Sequence, residues 1–300
     1  MTHQVHTAEL LLETIIRFHD LKRVDELSRA LLSLIGQSYR PLRVMVVTQR
    51  FEAAAVAALE AHLEFYRPID PTVEISVVPH AATGGLVDAR AALINTGIGA
   101  MRGRYMAVLD YDDVLYPEAY ELLTRELEIS GASVALGGCA TKIVSADRTT
   151  AVRLVRAEVP RVPGRGTLDL FLTCFGTWTS CVADRSRIDT EDLWLDETLP
   201  AAEDYDWLLR LSANYPISFQ LIHEPLQAYN IKNDGSNTVA WPAYAARERV
   251  QFWSYIEAEI ERRRQLIVVN SGVQRALGID PPQPGLTIRG LLDHLDRAGS

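Results

Sequence analysis

Hydrophobic and polar positions along the first half of the chain predict strands that alternate with helices. Short apolar runs, rich in β-branched residues, predict buried strands at Leu12–Phe18, Leu42–Val47, Val73–Val78 and Tyr105–Leu109. Helical spacing of apolar residues predicts intervening helices at Arg23–Ile35, at Ala53–Phe65, within 83–103 and from Pro117 to about Ile129. This alternation favours right-handed crossovers and a mainly parallel α/β sheet, in which ligands bind beyond the carboxyl ends of the strands.

The second half of the chain has a less regular pattern. Its hydrophilic, arginine-containing segment Thr141–Gly166 is interpreted as an excursion or a flexible loop, and Arg161–Gly166 within it as either a lid or an ordinary exposed loop. Helical spacing begins at Asp206–Leu211, and Phe219–His223 is predicted to be a short strand. The residues from about Trp241 onward are predicted to be helical, with a break at PPQPG before a last short helix.

Composition and charge narrow the class of protein. The chain has 300 residues, of which 48% are hydrophobic and 23% charged, a composition that can bury a sizeable core. The formal net charge of −9 argues against broad nucleic-acid binding, which needs a basic surface. No secretory signal and no membrane span are expected from the apolar runs. An odd set of three cysteines without a paired motif favours reduced thiols in the cytoplasm: Cys139, Cys174 and Cys181.

Three carboxylates follow the fourth predicted strand, in the segment RYMAVLDYDDVLYP. They are Asp110, Asp112 and Asp113. Because side chains alternate along an extended strand, Asp110 and Asp112 are expected on one face, about 7 Å apart along the chain. Their repulsion would be relieved by a hard divalent cation such as Mg²⁺ or Mn²⁺, which prefers oxygen ligands and commonly holds a pyrophosphate. The alternative is a solvated acidic turn, since Asp is common in turns.

A second acidic pair, Glu203 and Asp204, lies just before a helical apolar stripe that begins at Trp207. Carboxylates at a helix N-terminus are stabilised by the helix dipole, by roughly 0.3–1 kcal/mol each. One interpretation is therefore simple helix capping. The other is that one carboxylate points into a cleft and acts as a general base.

Taken in order, these segments resemble a family 2 glycosyltransferase of the inverting, GT-A type. The pattern R…N.G…A.G.Y…LD.DD is matched by Arg90, Asn95, Gly97, Ile98, Ala100, Gly103, Tyr105 and LDYDD. A later ED dipeptide before W..R is matched by Glu203, Asp204, Trp207 and Arg210. The opening TIIRFHD resembles the first nucleotide-binding strand of the family, and LLSLIGQSYRPLRVMVV resembles the next helix and strand.

The resemblance covers about residues 10–240 and implies a GT-A fold. It implies a mainly parallel, Rossmann-like nucleotide-binding sheet flanked by helices. Residues 1–240 would form the glycosyltransferase domain, with a nucleotide-sugar half at about 10–117 and an acceptor half at about 118–240. Residues 241–300 would form a helical C-terminal extension.

The resemblance also implies an activity and a set of site residues. The enzyme would move a sugar from a nucleotide-diphospho-sugar, with a UDP-sugar favoured, to a hydroxyl of a glycan, lipid-linked or small-molecule acceptor. Asp112 would be the principal ligand of Mn²⁺ or Mg²⁺, Asp110 would contact the metal shell or the ribose, and Asp113 would support the loop. Asp204 would be the general base, oriented by Glu203. The donor would be held by Arg17, His19, Thr48, Gln49, Arg90, Asp110 and Lys232.

Two places depart from the family pattern. Thr48 and Gln49 stand where many members carry an acidic pair that reads uracil. Lys232 stands near the position at which many members carry a histidine that can bind the metal or the diphosphate. A lysine there would pair with the diphosphate or be a solvated loop residue. Arg90 would otherwise form a surface ion pair. Three aromatic residues are interpreted either as core or as the lining of an acceptor pocket: Phe171, Phe175 and Trp178.

Three other classes compete with this interpretation. A nucleotidyltransferase would carry a glycine-rich loop where this chain has RFHDLKR. A non-catalytic member of the same fold would bind sugars or act as a scaffold. A structural helical partner would associate through Glu257–Leu266, although the charge of that segment first suggests a solvated face. The sequence favours a cytoplasmic protein without nucleic-acid partners or a transmembrane segment. It leaves open peripheral association at the inner membrane face and a homo-oligomer.

Overall fold

The computed structural model describes residues 10–81, 89–147, 151–158, 166–232 and 246–299. Within these ranges nine strands form one mixed sheet. The strands are β1 (Leu12–Phe18), β2 (Leu42–Gln49), β3 (Val73–His80), β4 (Tyr105–Asp110), β5 (Val114–Leu115), β6 (Val134–Asp147), β7 (Ala151–Glu158), β8 (Cys181–Asp184) and β9 (Ile217–Lys232). The α-helices are α1 (Val24–Ile35), α2 (Ala53–Leu63), α3 (Arg90–Gly99), α4 (Ala119–Ser130), α5 (Thr167–Leu172), α6 (Thr190–Leu193), α7 (Glu203–Asn214), α8 (Ala246–Leu266), α9 (Ser271–Ala276) and α10 (Ile288–Gly299).

The first half of the chain forms the parallel part of the sheet. Its strands lie in the order β3-β2-β1-β4, and β1 pairs in parallel with both β2 and β4. The four strands and four helices predicted for this half are confirmed. The helix predicted within 83–103 is α3, and residues 82–88 lie outside the described residues. Gly131 ends α4 in the left-handed conformation, with φ at 69°, which glycine adopts without steric cost.

The second half adds the strands that turn the sheet from parallel to mixed. β8 lies antiparallel between β4 and β6, and the order continues through β9 to β5. The interpretation of Thr141–Gly166 as a loop is wrong for most of the segment, because β6 and β7 form an antiparallel hairpin there. Half-solvated antiparallel strands alternate apolar and polar residues, so a hydrophilic composition does not exclude them. Most of the candidate lid Arg161–Gly166 lies outside the described residues.

Two apolar layers cover the two faces of the sheet. Ile15 of β1 packs with residues of α3, α7, α8 and α10, whereas the next residue, Ile16, packs with α1, α2 and α4. This follows from the alternation of side chains along a strand. The C-terminal helices α8 and α10 therefore share a core layer with the central strand. None of the helices in the described ranges is both long enough and apolar enough to cross a bilayer.

Two residues of the NxG sequence in α3 fix the position of that helix. A Cβ atom on Gly97 would lie 2.7 Å from the side chain of Ile15, so glycine permits the close approach of α3 to β1. The Asn95 amide donates to the Leu195 carbonyl oxygen at 2.9 Å and accepts from the Leu195 N–H at 2.8 Å. These contacts tie α3 to the segment that leads into α7, where the second acidic pair lies.

Candidate active site

The register of β1 against β4 places Arg17 beside Asp110 at the carboxyl end of the parallel strands. Arg17 Nη2 donates to Asp110 Oδ1 at 2.7 Å, and Nη1 donates to Glu203 Oε1 at 2.8 Å. Burial alone would lower the pKa of Arg17, but the charges of Asp110 and Glu203 raise it above its usual value. The guanidinium therefore stays charged, and it lies over the ring of Trp178, 5.2 Å from the centroid.

The second acidic pair forms the first turn of α7. Ala202, directly before it, has φ at 60°, a left-handed conformation that costs a non-glycine residue about 1–2 kcal/mol. Non-glycine residues in such conformations occur preferentially at functional sites. Glu203 is buried and bonded to Arg17 across the site, and Asp204 Oδ1 accepts from the Tyr205 N–H at 2.8 Å. Glu203 thus faces the site, which simple helix capping does not explain.

A cavity of about 630 Å³ lies between these elements. Five predicted site residues line it together: Arg17, Arg90, Asp110, Glu203 and Asp204. Trp178 also lines the cavity, whereas Phe171 is a core residue and Phe175 packs against Phe219, with ring centroids 5.9 Å apart.

The opposite wall of the cavity comes from α8 and was not predicted. Its residues share one helical face, at intervals of three or four positions: Trp253, Ile256, Glu257, Ile260 and Arg264. Arg264 fixes the helix to the site by donating to the Phe171 and Leu172 carbonyl oxygens, at 2.7 and 2.9 Å, and to the Tyr205 hydroxyl at 2.9 Å. The spacing was visible in the sequence, but the many charged residues of α8 made a solvated face the simpler interpretation.

The surroundings of Asp204 favour proton uptake. Burial and the nearby charge of Glu203 raise the pKa of Asp204 to about 6, against the opposing effects of the Tyr205 N–H and Arg17. A carboxylate with such a pKa is ionised at neutral pH and is more basic than an ordinary aspartate. Perturbed carboxyl groups in a cleft are typical of functional sites.

Asp112 and Lys232 lie outside the residues that line this cavity, in a neighbouring groove. Lys232 Nζ donates to Asp112 Oδ2 and to Glu26 Oε2, at 2.6 Å in each case, and the residue is only 3% exposed. The interpretation of Lys232 as a solvated loop residue is therefore wrong. Lys232 is the last residue of β9. Its ion pairs connect β9 to Glu26 of α1 and to Asp112 of the acidic loop. Burial and the charge of Asp110 raise the pKa of Asp112, while Lys232 lowers it.

The third aspartate of the loop, Asp113, is buried against β9. It accepts hydrogen bonds from Gln227 Nε2 at 2.8 Å and from the Asn230 N–H at 2.9 Å. Asn230 Nδ2 also donates to the Asp112 carbonyl oxygen at 2.6 Å. Burial and the charges of Asp112 and Asp110 raise the pKa of Asp113 well above its usual value. These bonds hold the acidic loop in place, which is the role that the sequence suggested for Asp113.

Three other predicted donor residues are not among the residues that line the cavity: His19 directly follows β1, and Thr48 and Gln49 are the last two residues of β2. His19 is exposed and packs edge-on against Tyr111, with ring centroids 5.5 Å apart. Thr48 is buried, and its Oγ1 has no hydrogen-bond partner among the described residues. Gln49 is the register partner of His80 on β3. The structure therefore leaves these residues out of the set that lines the cavity with Asp110, Glu203 and Asp204.

The residues near the acidic loop fit a resident metal ion poorly. In the described ranges, no group of three or more His, Cys, Asp or Glu side chains is arranged to hold a metal. The oxygens that would bind a cation already accept from cationic side chains: Asp110 from Arg17, Asp112 from Lys232, and Glu26 from Lys232 and Arg23. A hard dication there would compete with an ammonium group for the same oxygen.

Comparison with known proteins gives matches in sequence and in structure. A family model described as Glycosyl transferase family 2 matches residues 21–186. The succinoglycan biosynthesis protein ExoO of Rhizobium meliloti (strain 1021) is 31% identical over 191 residues, which cover 60% of this chain and 50% of ExoO. The chain thus spans about half the length of this curated relative.

Solved structures of S. aureus TarS share the fold. TarS 1–349 in complex with UDP-GlcNAc matches with a TM-score of 0.58 and 13% identity, over 87% of this chain and 68% of that one. Another TarS crystal structure matches with a TM-score of 0.51 and 15% identity, over 73% of this chain and 36% of that one. At such identities the similarity shows the fold alone, and it confirms the α/β fold of GT-A type that the sequence predicted.

Proposed function

Because this chain belongs to glycosyl transferase family 2 and is a glycosyltransferase, we propose that it transfers a sugar with inversion from a nucleotide-diphospho-sugar to an acceptor hydroxyl. A UDP-sugar is the favoured donor, and the structural neighbour TarS was solved with UDP-GlcNAc. One observation carries the proposal: Asp204 and the Arg17–Asp110 ion pair line the same cavity, and the pKa of Asp204 is raised to about 6.

Asp204 is proposed to be the general base. The acceptor oxygen attacks the anomeric carbon from the face opposite the diphosphate, and its proton passes to the Asp204 carboxylate. The bond between the anomeric carbon and the diphosphate oxygen breaks, so one displacement inverts the centre. General-base assistance of this kind contributes roughly 100- to 10,000-fold. Glu203 raises the pKa of Asp204 through its charge and holds Arg17 beside it by accepting a hydrogen bond.

Two arginines on the cavity wall, Arg17 and Arg90, are proposed to hold the nucleotide-diphosphate part of the donor. Arg17 is fixed by Asp110 and Glu203, so its charge is positioned before the donor binds. A divalent ion, which family membership suggests, would supply Lewis-acid stabilisation of the leaving diphosphate when bound. Asp112 and Asp110 are the carboxylates that would hold such an ion, and in this chain both of them contact cationic side chains instead.

The α8 wall is proposed to bind the acceptor. Trp253 offers an aromatic face, and Glu257 offers a carboxylate that can accept hydrogen bonds from sugar hydroxyls. Trp178, which lies under Arg17, extends the aromatic surface towards Asp204. A carbohydrate acceptor in polysaccharide assembly fits this wall, and it agrees with the succinoglycan role stated for ExoO.

The test compares Asp204→Asn with wild type in two assays. Asp204→Asn is expected to lower release of UDP from a panel of UDP-sugars by roughly 100-fold or more, since the base is lost. Calorimetric binding of UDP should stay close to wild type, because the isosteric amide leaves Arg17 and Arg90 in place. Glu191→Gln, an exposed carboxyl-to-amide change on α6, is the matched control. Near-wild-type turnover in Asp204→Asn would show that the base is misassigned.

A further inference from the structure

Lys232 has an environment that an ordinary surface lysine does not have. Its ammonium group is 2.6 Å from Asp112 Oδ2 and 2.6 Å from Glu26 Oε2, and the residue is only 3% exposed. It also lies near the face of Tyr111, 5.7 Å from the ring centroid. The chain thus places an ammonium group on the aspartate that the resemblance implies is the principal metal ligand.

The two carboxylates that contact Lys232 are balanced by two cationic side chains. Asp112 and Glu26 supply two negative charges, and Lys232 and Arg23 supply two positive ones. Arg23 is held there by a bond to Glu26 at 3.1 Å and a bond to the Tyr111 hydroxyl at 2.8 Å. A site without excess negative charge has little attraction for a dication, because the gain from its carboxylates is offset by repulsion from the neighbouring cations.

The groove that contains this cluster has further basic side chains. Its charged lining consists of Glu26, Arg29, Asp112, Lys142 and Lys232, that is, three cations and two carboxylates. Such a lining favours an anion over a cation. Asp110, two residues before Asp112, lines the main cavity.

We propose that Lys232 takes the place of the divalent ion at Asp112, so that this chain binds its donor without an added metal. The inference rests on the proposed donor chemistry, because the charge of Lys232 matters for catalysis only if a diphosphate binds beside the acidic loop. A lysine is a compact point charge with three hydrogen-bond donors, and Lys232 directs two of them at Asp112 and Glu26. Its single positive charge is reinforced by Arg17 on the neighbouring carboxylate, Asp110.

The first experiment titrates Mn²⁺ into the full chain without nucleotide and follows free Mn²⁺ by electron paramagnetic resonance. Wild type is expected to bind Mn²⁺ weakly, with a Kd of about 1 mM or higher. Lys232→Met removes the ammonium from Asp112 and leaves Glu26 paired with Arg23 alone, so Mn²⁺ affinity should rise by roughly tenfold or more. Lys142→Met, a change in the same groove, should leave it as in wild type. Micromolar Mn²⁺ binding by wild type would overturn the proposal.

The second experiment measures UDP binding by calorimetry, in EDTA and in 1 mM Mn²⁺, a concentration of about the wild-type Kd expected above. Wild-type affinity should differ by less than about threefold between the two conditions, since no ion is needed. Lys232→Met should bind UDP at least about tenfold more weakly in EDTA and recover with Mn²⁺. A wild type that binds UDP only with Mn²⁺ would also overturn the proposal.

Two features of the design keep the outcomes separate. The Mn²⁺ titration contains no nucleotide, so a wrong donor assignment leaves its result decisive for Lys232. Lys232→Met could unfold, because losing one member of a buried ion pair is strongly destabilising. In that event the two wild-type measurements still decide between an internal cation and a metal.

Discussion

Replacing Glu203 by glutamine tests whether the charge beside Asp204 sets the pH range of the enzyme. Burial and Glu203 raise the pKa of Asp204 to about 6 from a usual value of 3.8. At 1.36 kcal/mol per pKa unit, that shift corresponds to about 3 kcal/mol of disfavoured ionisation. Glu203→Gln removes the nearby negative charge and releases Arg17, whose charge also lowers the pKa of Asp204. Both effects act in the same direction.

The expected result is a shift of the acidic limb of kcat/KM. A general base must be deprotonated, so the rate rises with pH through the pKa of Asp204 and then levels off. Wild type should reach half of its plateau near pH 6 and about a tenth of it near pH 5. In Glu203→Gln the limb should move down by roughly one pH unit, as expected for the loss of one close like charge. The plateau itself should fall, because Arg17 loses a positioning contact.

The assay follows UDP release from a UDP-sugar between pH 4.5 and 8 at constant ionic strength. This range includes the pKa of Asp204, which is about 6. Each rate is divided by the plateau of the same variant, so that only the position of the limb is compared. Glu191→Gln controls for the loss of one exposed carboxylate. A wild-type limb at the pKa of an ordinary aspartate, or a limb that stays in place or rises in Glu203→Gln, would refute the reasoning.

Three further predictions concern stability and the acceptor wall. Because folding raises the pKa of Asp204, its ionised form destabilises the fold above about pH 6 and not below about pH 4. Asp204→Asn should therefore raise Tm at pH 7.5 and leave it unchanged at pH 4, and an equal effect at both values would contradict this. Gly97→Ala should lower the free energy of unfolding in urea by about 1–3 kcal/mol, because the new Cβ would meet Ile15 at 2.7 Å. Gly99→Ala, whose Cβ would meet only Trp194 at 3.5 Å, should cost much less, and equal losses would refute the packing argument. Trp253→Ala should lower transfer to sugar acceptors by roughly three- to tenfold relative to donor hydrolysis, and an unchanged ratio would exclude Trp253 from the acceptor wall.

The parallel half of the fold could be predicted because its signals are local. The strand β4 is an unbroken apolar run up to Asp110, and β1 has the apolar residues Ile15, Ile16 and Phe18 before the polar residues at its carboxyl end. The pairing of Arg17 with Asp110 could not be predicted, since it depends on the register of two strands far apart in sequence. The burial of Lys232 could not be predicted for the same reason. Its partners come from α1 and from the acidic loop, and neither pattern predicts that the three elements meet.

The α8 wall was missed for a different reason. Trp253, Ile256 and Ile260 have helical spacing, which local reasoning detects, but the segment is rich in Arg and Glu. Several of those charges are internal contacts: Arg263 pairs with Asp196, and Arg264 donates to α5 carbonyl oxygens. Charge density alone therefore does not distinguish a solvated helix from one that is held to a site by ion pairs.

Arg17 links donor binding to the strength of the base. In the described structure it divides its donors between Asp110 and Glu203, and its charge lowers the pKa of Asp204. A bound diphosphate would draw the Arg17 guanidinium away from Asp204 and add negative charge to the cavity. Both changes raise the pKa of Asp204, so the carboxylate becomes a stronger base when a donor is present. In the same pH series, the acidic limb of kcat, which reports the complex, should then lie at higher pH than that of kcat/KM, which reports the free enzyme.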